Sequence, residues 1–344
     1  MRAAYFETHG PTENIKVGDL SQPEPTEDEV LVKTSFGGLN HLDLFVLQGW
    51  PGLNLKLPHI MGSDGSGIVE AVGEKVQGIK IGDRVTINPG YSCNQCALCL
   101  AGKQNLCKSY SIKGEHRSGT YAEYFTIQKE SVIQVPESIS MKEAAAAPLV
   151  FLTAWRLLVT KGQIKPGDYV LIQGAGGGVA TAAIQIAKLF NATVIATTST
   201  EEKMKKATEI GADHVINYKE TPDYGKIIYK EMTNKHGIDI ALDSVGQATF
   251  KKSLRTLAPQ GRLVTPGATT GGKVEIDLRA IFWKQIEILG STMSNQSEFR
   301  QVMAQVFNGT LKPVVDRVFP LEEARDALEY LERGEQFGKV LLQP

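Results

Sequence analysis

The stretch Asp168 to Phe190, DYVLIQGAGGGVATAAIQIAKLF, restricts the fold of this chain more than any other. Tyr169 to Gln173 is a short apolar run that predicts a buried strand. Gly174, Gly176, Gly177 and Gly178 interrupt it. Val179, Ala183, Ile186, Ala187 and Phe190 then recur at i, i+4, i+7, i+8 and i+11, the apolar stripe of a helix. Strand, glycine turn and helix make the setting that a dinucleotide fingerprint needs. The glycines permit a tight turn and the close approach of a pyrophosphate, and the helix N-terminus offers free N–H groups with a partial positive charge. Gly174, Ala175, Gly177, Gly178 and Val179 are therefore candidate cofactor contacts. A glycine turn by itself also serves ordinary tight turns, so the units that follow matter.

Beyond Phe190 the pattern alternates strand and helix. Thr193 to Thr197, His214 to Ile216, Ile238 to Asp243, Arg262 to Thr265 and Ile286 to Gly290 read as strands. Glu201 to Ile210, Pro222 to Met232 and Gln247 to Leu257 read as the helices between them. With Tyr169 to Gln173 this makes six strands in a doubly wound parallel sheet, with ligands at the carboxyl ends of the strands. An NAD site usually has an acid at the end of the second strand. Here that strand ends Thr197-Thr198-Ser199-Thr200, hydroxyls with Lys203 close behind, which suits a 2′-phosphate. Glu201, one turn further on, is the opposing feature.

The part before this reads differently. Glu29 to Thr34, Gly67 to Val72 and Arg84 to Asn88 are short strands separated by Gly, Pro and Asp clusters, which predicts a compact β-barrel-like domain. Within it all four cysteines of the chain, Cys93, Cys96, Cys99 and Cys107, spell C-x2-C-x2-C-x7-C. Four thiolates on one short loop suit a tetrahedral zinc ion, and a site closed by four cysteines braces a lobe and leaves no position open for chemistry. Two disulfides or chance clustering are the competing readings, and disulfides are disfavoured in a cytosolic chain and strained in so short a loop. A length of 344 residues implies two domains, and a net charge of −1 gives no electrostatic case for nucleic acid or an anionic membrane. No apolar run reaches membrane length and Met1 to Gly10 lacks a signal-peptide core, so a cytoplasmic location is the expectation.

With the cysteine spacing and the segments GSDGSGIVEAVG, IGDRV and GTYAEY in order, nearly the whole chain resembles the medium-chain dehydrogenase/reductase superfamily, which includes zinc alcohol dehydrogenases and NADPH quinone or enoyl reductases. The resemblance implies an α/β fold, a GroES-like β-barrel catalytic domain plus a doubly wound parallel-sheet Rossmann domain. The expected division is 1–149 for the catalytic domain, with its zinc lobe at about 90–110, then 150–293 for the Rossmann domain. Residues 294–344, with helices at Glu298 to Phe307 and Leu321 to Leu331 and a strand at Gly338 to Leu342, are expected to return to the first domain. The active site is expected in the cleft between them.

The departures from the family narrow the function. Where the zinc alcohol dehydrogenases hold a catalytic zinc with a Cys, a His and a later Cys, this chain has Asn40, Ser63 and a position near Leu149. The resemblance then implies a structural zinc without a catalytic one, the pattern of the quinone/enoyl-reductase branch. Asn40 is the candidate donor to a substrate oxygen, or a turn cap. Asp64 is a candidate catalytic residue or a turn residue. His116 is a candidate proton donor or a solvated loop histidine. Family position puts Thr153 on the nicotinamide face and His41 near the cofactor phosphates. It also puts Thr198 and Ser199, with Lys203 and Tyr218, at the 2′-phosphate, and Val245 with Gly267, Ala268 and Thr269 at the nicotinamide. Lys339 is expected to approach the cofactor or to be a plain surface lysine. Trp50, Pro89, His116 and Trp283 are expected around the substrate. The leading expectation is an NADPH-dependent oxidoreductase passing hydride to a quinone or a carbonyl-conjugated C=C bond without catalytic metal. A zinc alcohol dehydrogenase with unusual ligands and a non-catalytic NADPH-binding protein are the alternatives. A homodimer or homotetramer is expected, with Ile286 to Met293 at its interface.

Overall fold

The computed structural model describes every residue, Met1–Pro344. The chain divides into two compact units, one built from Met1–Val150 and Ser294–Pro344, the other from Phe151–Met293.

In the second unit six parallel strands lie in the order His214–Asn217, Thr193–Thr198, Tyr169–Ile172, Ile238–Leu242, Leu257–Thr265, Glu287–Gly290. Val170 sits opposite Val194 on one side and Ile240 on the other. The order reverses beside Tyr169–Ile172, which puts the glycine turn at the switch point of the sheet, where such folds bind their ligands. Strands covered on both faces must be apolar along their length. Leu171, Ile195, Ala241 and Leu263 are accordingly inaccessible to solvent, packed with Ile216, Ile228 and Leu254.

Two elements depart from the sequence reading. The predicted helix over Pro222 to Met232 is one α-turn, Tyr224–Ile227, widening into a π-turn at Ile228–Met232. The helix predicted from Gln247 starts only at Phe250, because Gly246 adopts a φ of +88° and Asp243 draws the intervening loop onto itself.

The first unit is β-rich. Its main sheet runs Val132–Gln134, Arg84–Ile87, Asp64–Val72, Glu29–Gly38, Lys339–Gln343, Val315–Pro320, and Tyr124–Gln128 also pairs with Glu29–Gly38. All these pairings are antiparallel except that of Val315–Pro320 with Lys339–Gln343. Val30, Val32, Val69, Val85, Ile87, Phe125 and Ile127 fill one core of this unit. A second core joins Phe6, Leu47, Met61, Tyr121 and Leu342 to the helix Ala324–Glu332. The C-terminal strand is thus built into the sheet of the N-terminal segment, and its first residue, Lys339, lies deep inside it. A further small sheet, Gly90–Tyr91 with Ser111–Ile112, closes the base of the cysteine loop. No helix of the chain is long and apolar enough to cross a membrane.

Candidate functional site

The cysteine loop gathers its four sulfurs within 4.8 Å of one another. Cys93 Sγ lies 3.6 Å from Cys107 Sγ and 3.9 Å from Cys99 Sγ, and Cys96 Sγ lies 3.9 Å from Cys107 Sγ. Zinc–sulfur bonds of about 2.3 Å in a tetrahedron put sulfurs about 3.8 Å apart, so the observed separations fit a tetrathiolate. A disulfide brings its sulfurs to about 2.05 Å, and no pair here approaches that. The loop also prepares anionic sulfur. The Cys96 N–H donates to Cys93 Sγ at 3.4 Å. Backbone amides, that of Cys93 first, hold Cys107 down at about 6. Burial pushes Cys99 up to about 11, and a bound cation would supply the charge that ionises it.

In the second unit the glycine turn has the geometry its sequence requires. Gly174 takes a φ of +72°, a region that side chains disfavour. Its N–H meets Thr197 Oγ1 at 3.3 Å, and the Ala175 N–H donates to Thr197 O at 2.8 Å. Gln173 is buried and binds Tyr224, Ser253 and Thr197 through its amide, which anchors the end of the strand. Helix Gly178–Leu189 then starts at the N-cap Gly177, and its leading N–H groups have no carbonyl one turn back. Gly177 has an ordinary φ of −80°, and a Cβ there would meet only Gly174 O, at 3.5 Å. Protein packing therefore does not require glycine at 177.

The other candidate cofactor residues of this unit form two groups. Val245, Gly267, Ala268 and Thr269 come together beyond the fourth and fifth strands. Thr269 Oγ1 donates to Ser244 O at 3.1 Å and the Thr270 N–H to Val245 O at 2.8 Å. At Gly267 an added Cβ would meet nothing nearer than Ser244 O at 4.0 Å, a second glycine that packing leaves unexplained. Thr198, Ser199, Lys203 and Tyr218 gather at the end of the second strand, where the Tyr218 N–H donates to Thr198 O at 3.0 Å. Thr198 is itself buried, so Ser199, Lys203 and the exposed Tyr218 ring present this group to solvent. Thr153, on helix Pro148–Trp155, is buried.

In the first unit Asp64 collects the positions that correspond to the metal ligands of the zinc alcohol dehydrogenases. Its Oδ2 accepts from Asn40 Nδ2 at 3.0 Å and from Lys339 Nζ at 2.8 Å, and its Oδ1 accepts the Leu149 N–H at 2.7 Å. Ser63, next in sequence, has a buried hydroxyl with no hydrogen-bond partner. This donor set does not fit a catalytic zinc ion. One amide, one orphan hydroxyl and an aliphatic side chain replace two thiolates and an imidazole, and both oxygens of the single carboxylate are engaged. The cysteine loop is the one cluster of three or more His, Cys, Asp or Glu side chains that could hold a metal.

Two readings of the sequence are corrected here. Lys339 is not a surface lysine. It is 3% exposed, and its three ammonium hydrogens go to Leu39 O, Asn40 Oδ1 and Asp64 Oδ2 at 2.6, 2.7 and 2.8 Å. Asn40 has no hydrogen left for a substrate oxygen, since its Nδ2 also donates to Gly38 O at 3.2 Å. Beneath Asn40, burial raises Asp43 to about 6 while it accepts from Tyr121 OH at 2.6 Å and the Asn40 N–H at 2.7 Å. His41 opens the helix His41–Gln48 half-buried, its pKa lowered first by burial and then by the Lys339 charge.

The loop after the cysteines holds groups that sequence reasoning missed. His116 Nδ1 accepts the Ile112 N–H at 3.2 Å, which leaves the ring proton on Nε2, 3.7 Å from Glu115 Oε1. Burial raises Glu115 to about 7, in the range of a proton carrier. Lys113 is buried, lowered to about 7 by that burial, and donates to Ser118 O at 2.6 Å. Neither residue lies in a motif, and only burial distinguishes them from surface charges. Trp283, expected beside the substrate, is instead 83% exposed on helix Leu278–Lys284.

A parallel sheet with a glycine turn at its switch point, joined to a β-rich unit with a four-cysteine loop, defines a two-unit dehydrogenase. Comparison with known proteins agrees. The zinc-binding dehydrogenase family matches residues 178–308, and the alcohol dehydrogenase GroES-like domain matches residues 26–137. The chain is 35% identical to a zinc-type alcohol dehydrogenase-like protein of Schizosaccharomyces pombe over 91% of its own length and 90% of that protein. It is 32% identical to a human quinone oxidoreductase, with 99% and 97% covered. A crystal structure of an NAD-dependent alcohol dehydrogenase superposes with a TM-score of 0.96 at 45% identity, with both chains fully covered. The chain belongs to the medium-chain dehydrogenase/reductase superfamily. It is an oxidoreductase with a GroES-like domain and a Rossmann-type domain.

Proposed function

We propose that this oxidoreductase transfers hydride from NADPH to a quinone or a carbonyl-conjugated C=C bond, with a zinc ion bracing the lobe at Cys93, Cys96, Cys99 and Cys107 and no metal at the reacting centre. The observation that carries this reading is the donor set around Asp64, where Asn40, Ser63 and Leu149 supply no ligands for a Lewis-acidic ion. An isolated ketone or alcohol gains more from such an ion, which polarises a carbonyl or acidifies a hydroxyl. An acceptor already polarised by its own conjugated carbonyl has less need of one. When bound, the nicotinamide supplies the hydride, and the protein's part is to position, to exclude water and to deliver a proton.

Those tasks fall to particular groups. The N–H groups at the start of helix Gly178–Leu189 would hold the pyrophosphate. Val245, Gly267–Thr269 and Thr153 would hold the nicotinamide. Ser199, Lys203 and Tyr218, at a strand end that carries no acid, take the 2′-phosphate. His116, with its proton on Nε2 and Glu115 beside it, is the proposed proton source. His41 is kept for the cofactor phosphates. A chain whose thiols are reserved for a metal suits the cytoplasm. Self-association is proposed through the sheet edge at Glu287–Gly290, which pairs on one side only and carries exposed Leu278, Phe282, Trp283 and Ile288 nearby.

NADPH oxidation with a quinone and with an enone, set against NADP⁺ reduction with an alcohol, tests the reaction. Turnover of either acceptor without alcohol oxidation is expected, and alcohol oxidation alone would overturn the reading. A second cofactor reading has its own support, in Glu201 and in the NAD-dependent name of one structural relative. Measuring kcat/KM with NADH and NADPH decides it, and a preference for NADH would withdraw the Ser199–Lys203–Tyr218 assignment. Gly177→Ala should weaken cofactor binding tenfold or more while shifting stability by no more than about 0.5 kcal/mol, since its Cβ meets no protein atom closer than 3.5 Å. Fluorescence titration and urea unfolding measure the two effects.

A further inference from the structure

We propose that Lys339 is the resident cation of the pocket around Asp64: its ammonium, in place of a divalent metal, balances the carboxylate and fixes the Asn40 carboxamide in one orientation. The inference concerns the charge of the pocket and rests on no particular substrate.

The hydrogen-bond pattern admits one arrangement. Lys339 Nζ can only donate, and it meets Asn40 Oδ1 at 2.7 Å. Asp64 Oδ2 and Gly38 O can only accept, and they meet Asn40 Nδ2 at 3.0 and 3.2 Å. Turning the amide over would set its NH2 against an ammonium and its oxygen against a carboxylate. The ammonium therefore dictates which end of Asn40 faces which partner. With both Nδ2 hydrogens committed, Asn40 has no donor left.

The packing is as specific as the bonding. The three residues come from three distant stretches of chain: the junction after strand Glu29–Gly38, the start of strand Asp64–Val72 and the start of strand Lys339–Gln343. They converge because Gly38 has no side chain. A Cβ there would lie 2.9 Å from the Asp64 Cβ, 3.3 Å from the Lys339 Cε and 2.8 Å from Ala145 O. A carboxylate wholly withdrawn from water is tolerated only with a partner. Leu149 N–H and Asn40 Nδ2 supply neutral hydrogen bonds, and Lys339 supplies the one ion pair.

Other titratable groups surround the pair. His41 and Asp43 on the adjoining helix, and Tyr121, which donates to Asp43, all feel Lys339 or Asp64. They are common to every variant below, and the Lys339 charge acts on both His41 and Asp43 in the lowering direction.

Lys339 and Asp64 act as a charge pair only if removing either one leaves the other exposed as a fault of opposite sign. Urea unfolding of the full chain from pH 5 to 9 reads this directly in wild type, Lys339→Met, Asp64→Asn and the double variant. In Lys339→Met the carboxylate must ionise without a partner, so the folded state favours the proton and the deficit against wild type grows as pH rises. In Asp64→Asn the ammonium is stranded, the folded state disfavours its proton, and the deficit shrinks as pH rises. The double variant should recover at least half of the summed loss in unfolding midpoint. Lys339→Arg keeps the charge but not the three-way donor geometry. It should fall between wild type and Lys339→Met, with a profile parallel to wild type. Zinc content should stay at one per subunit throughout.

Additive losses, or profiles that run parallel in the two single variants, would reduce Lys339 to packing and overturn the proposal. Loss of a second equivalent of zinc in Asp64→Asn would overturn it by showing a metal in the ammonium's place. If Lys339→Met does not fold, the profile of Asp64→Asn and its zinc content still decide between these outcomes.

Discussion

The cysteine loop and the Asp64 pocket sit in the same unit and descend from the same family plan, yet they have gone opposite ways. In the loop, four side chains of one type converge with sulfurs 3.6 to 3.9 Å apart in the closest pairs, and backbone amides point at the sulfurs. Ser109 Oγ adds a hydroxyl 3.3 Å from Cys107 Sγ. In the pocket, the ligand positions hold Asn40, Ser63 and Leu149, and the one remaining carboxylate is satisfied by an amide, a backbone N–H and a lysine. The contrast teaches that one fold can present a donor set that fits a metal ion and, in the same unit, one that does not. Each site is decided by its own donors and by whatever cation the protein already provides.

The largest effect should come from breaking the loop. Cys99→Ser removes a buried thiolate, and metal binding worth on the order of 10 kcal/mol to such a lobe goes with it. Zinc content should fall to zero, and circular dichroism melting should show an early transition. A chelated protein that melts like the untreated one would remove the zinc from the account. The next effect is in the pocket. Asp64→Asn strands the Lys339 ammonium and should cost about 3–5 kcal/mol in urea unfolding at pH 7, without changing zinc content. A loss of stability in both places, but of zinc in only one, is the signature of the contrast.

A smaller effect sharpens the boundary between the two regions. Glu115 lies on the stretch that leads from the loop back to the barrel, and burial raises its folded pKa to about 7. Its unfolded value is near 4.3. A raised folded value means that the contribution to stability is fully present below about pH 4.3 and is lost as pH rises through 7. Glu115→Gln should therefore hold its stability better than wild type from about pH 4.5 to 7.5. In the same range it should displace the acid limb of the activity profile, and a superimposable limb would leave His116 without its partner.

Much of this was legible in the chain. The alternation of strand and helix after Asp168 gave six parallel strands because each is an apolar run punctuated by Gly, Asn or Asp. The C-x2-C-x2-C-x7-C spacing placed four sulfurs together because a loop that short has few other options. The absent ligands at Asn40, Ser63 and Leu149 were visible by alignment with the family pattern, though not their convergence on Asp64. Lys339 was misread because nothing local marks it. It is the first residue of a short strand, and only its pairing beside Gly38, some three hundred positions away in sequence, buries it. Glu115 and Lys113 were passed over for the same reason, since their chemistry comes from burial. The helix His41–Gln48 has no strong apolar stripe to mark it in the sequence, although Asp43 binding the Asn40 N–H marks its start.

The central claim is that the protein keeps one metal site and has replaced the other with an internal cation. Zinc per subunit, measured by mass spectrometry on the purified wild-type and Asp64→Asn proteins with NADPH oxidation assayed on the same samples, tests it most directly. The account predicts about one zinc in both, with turnover of a quinone or an enone by the wild type. Two zincs in the wild type, falling to one in Asp64→Asn, together with alcohol oxidation, would contradict it.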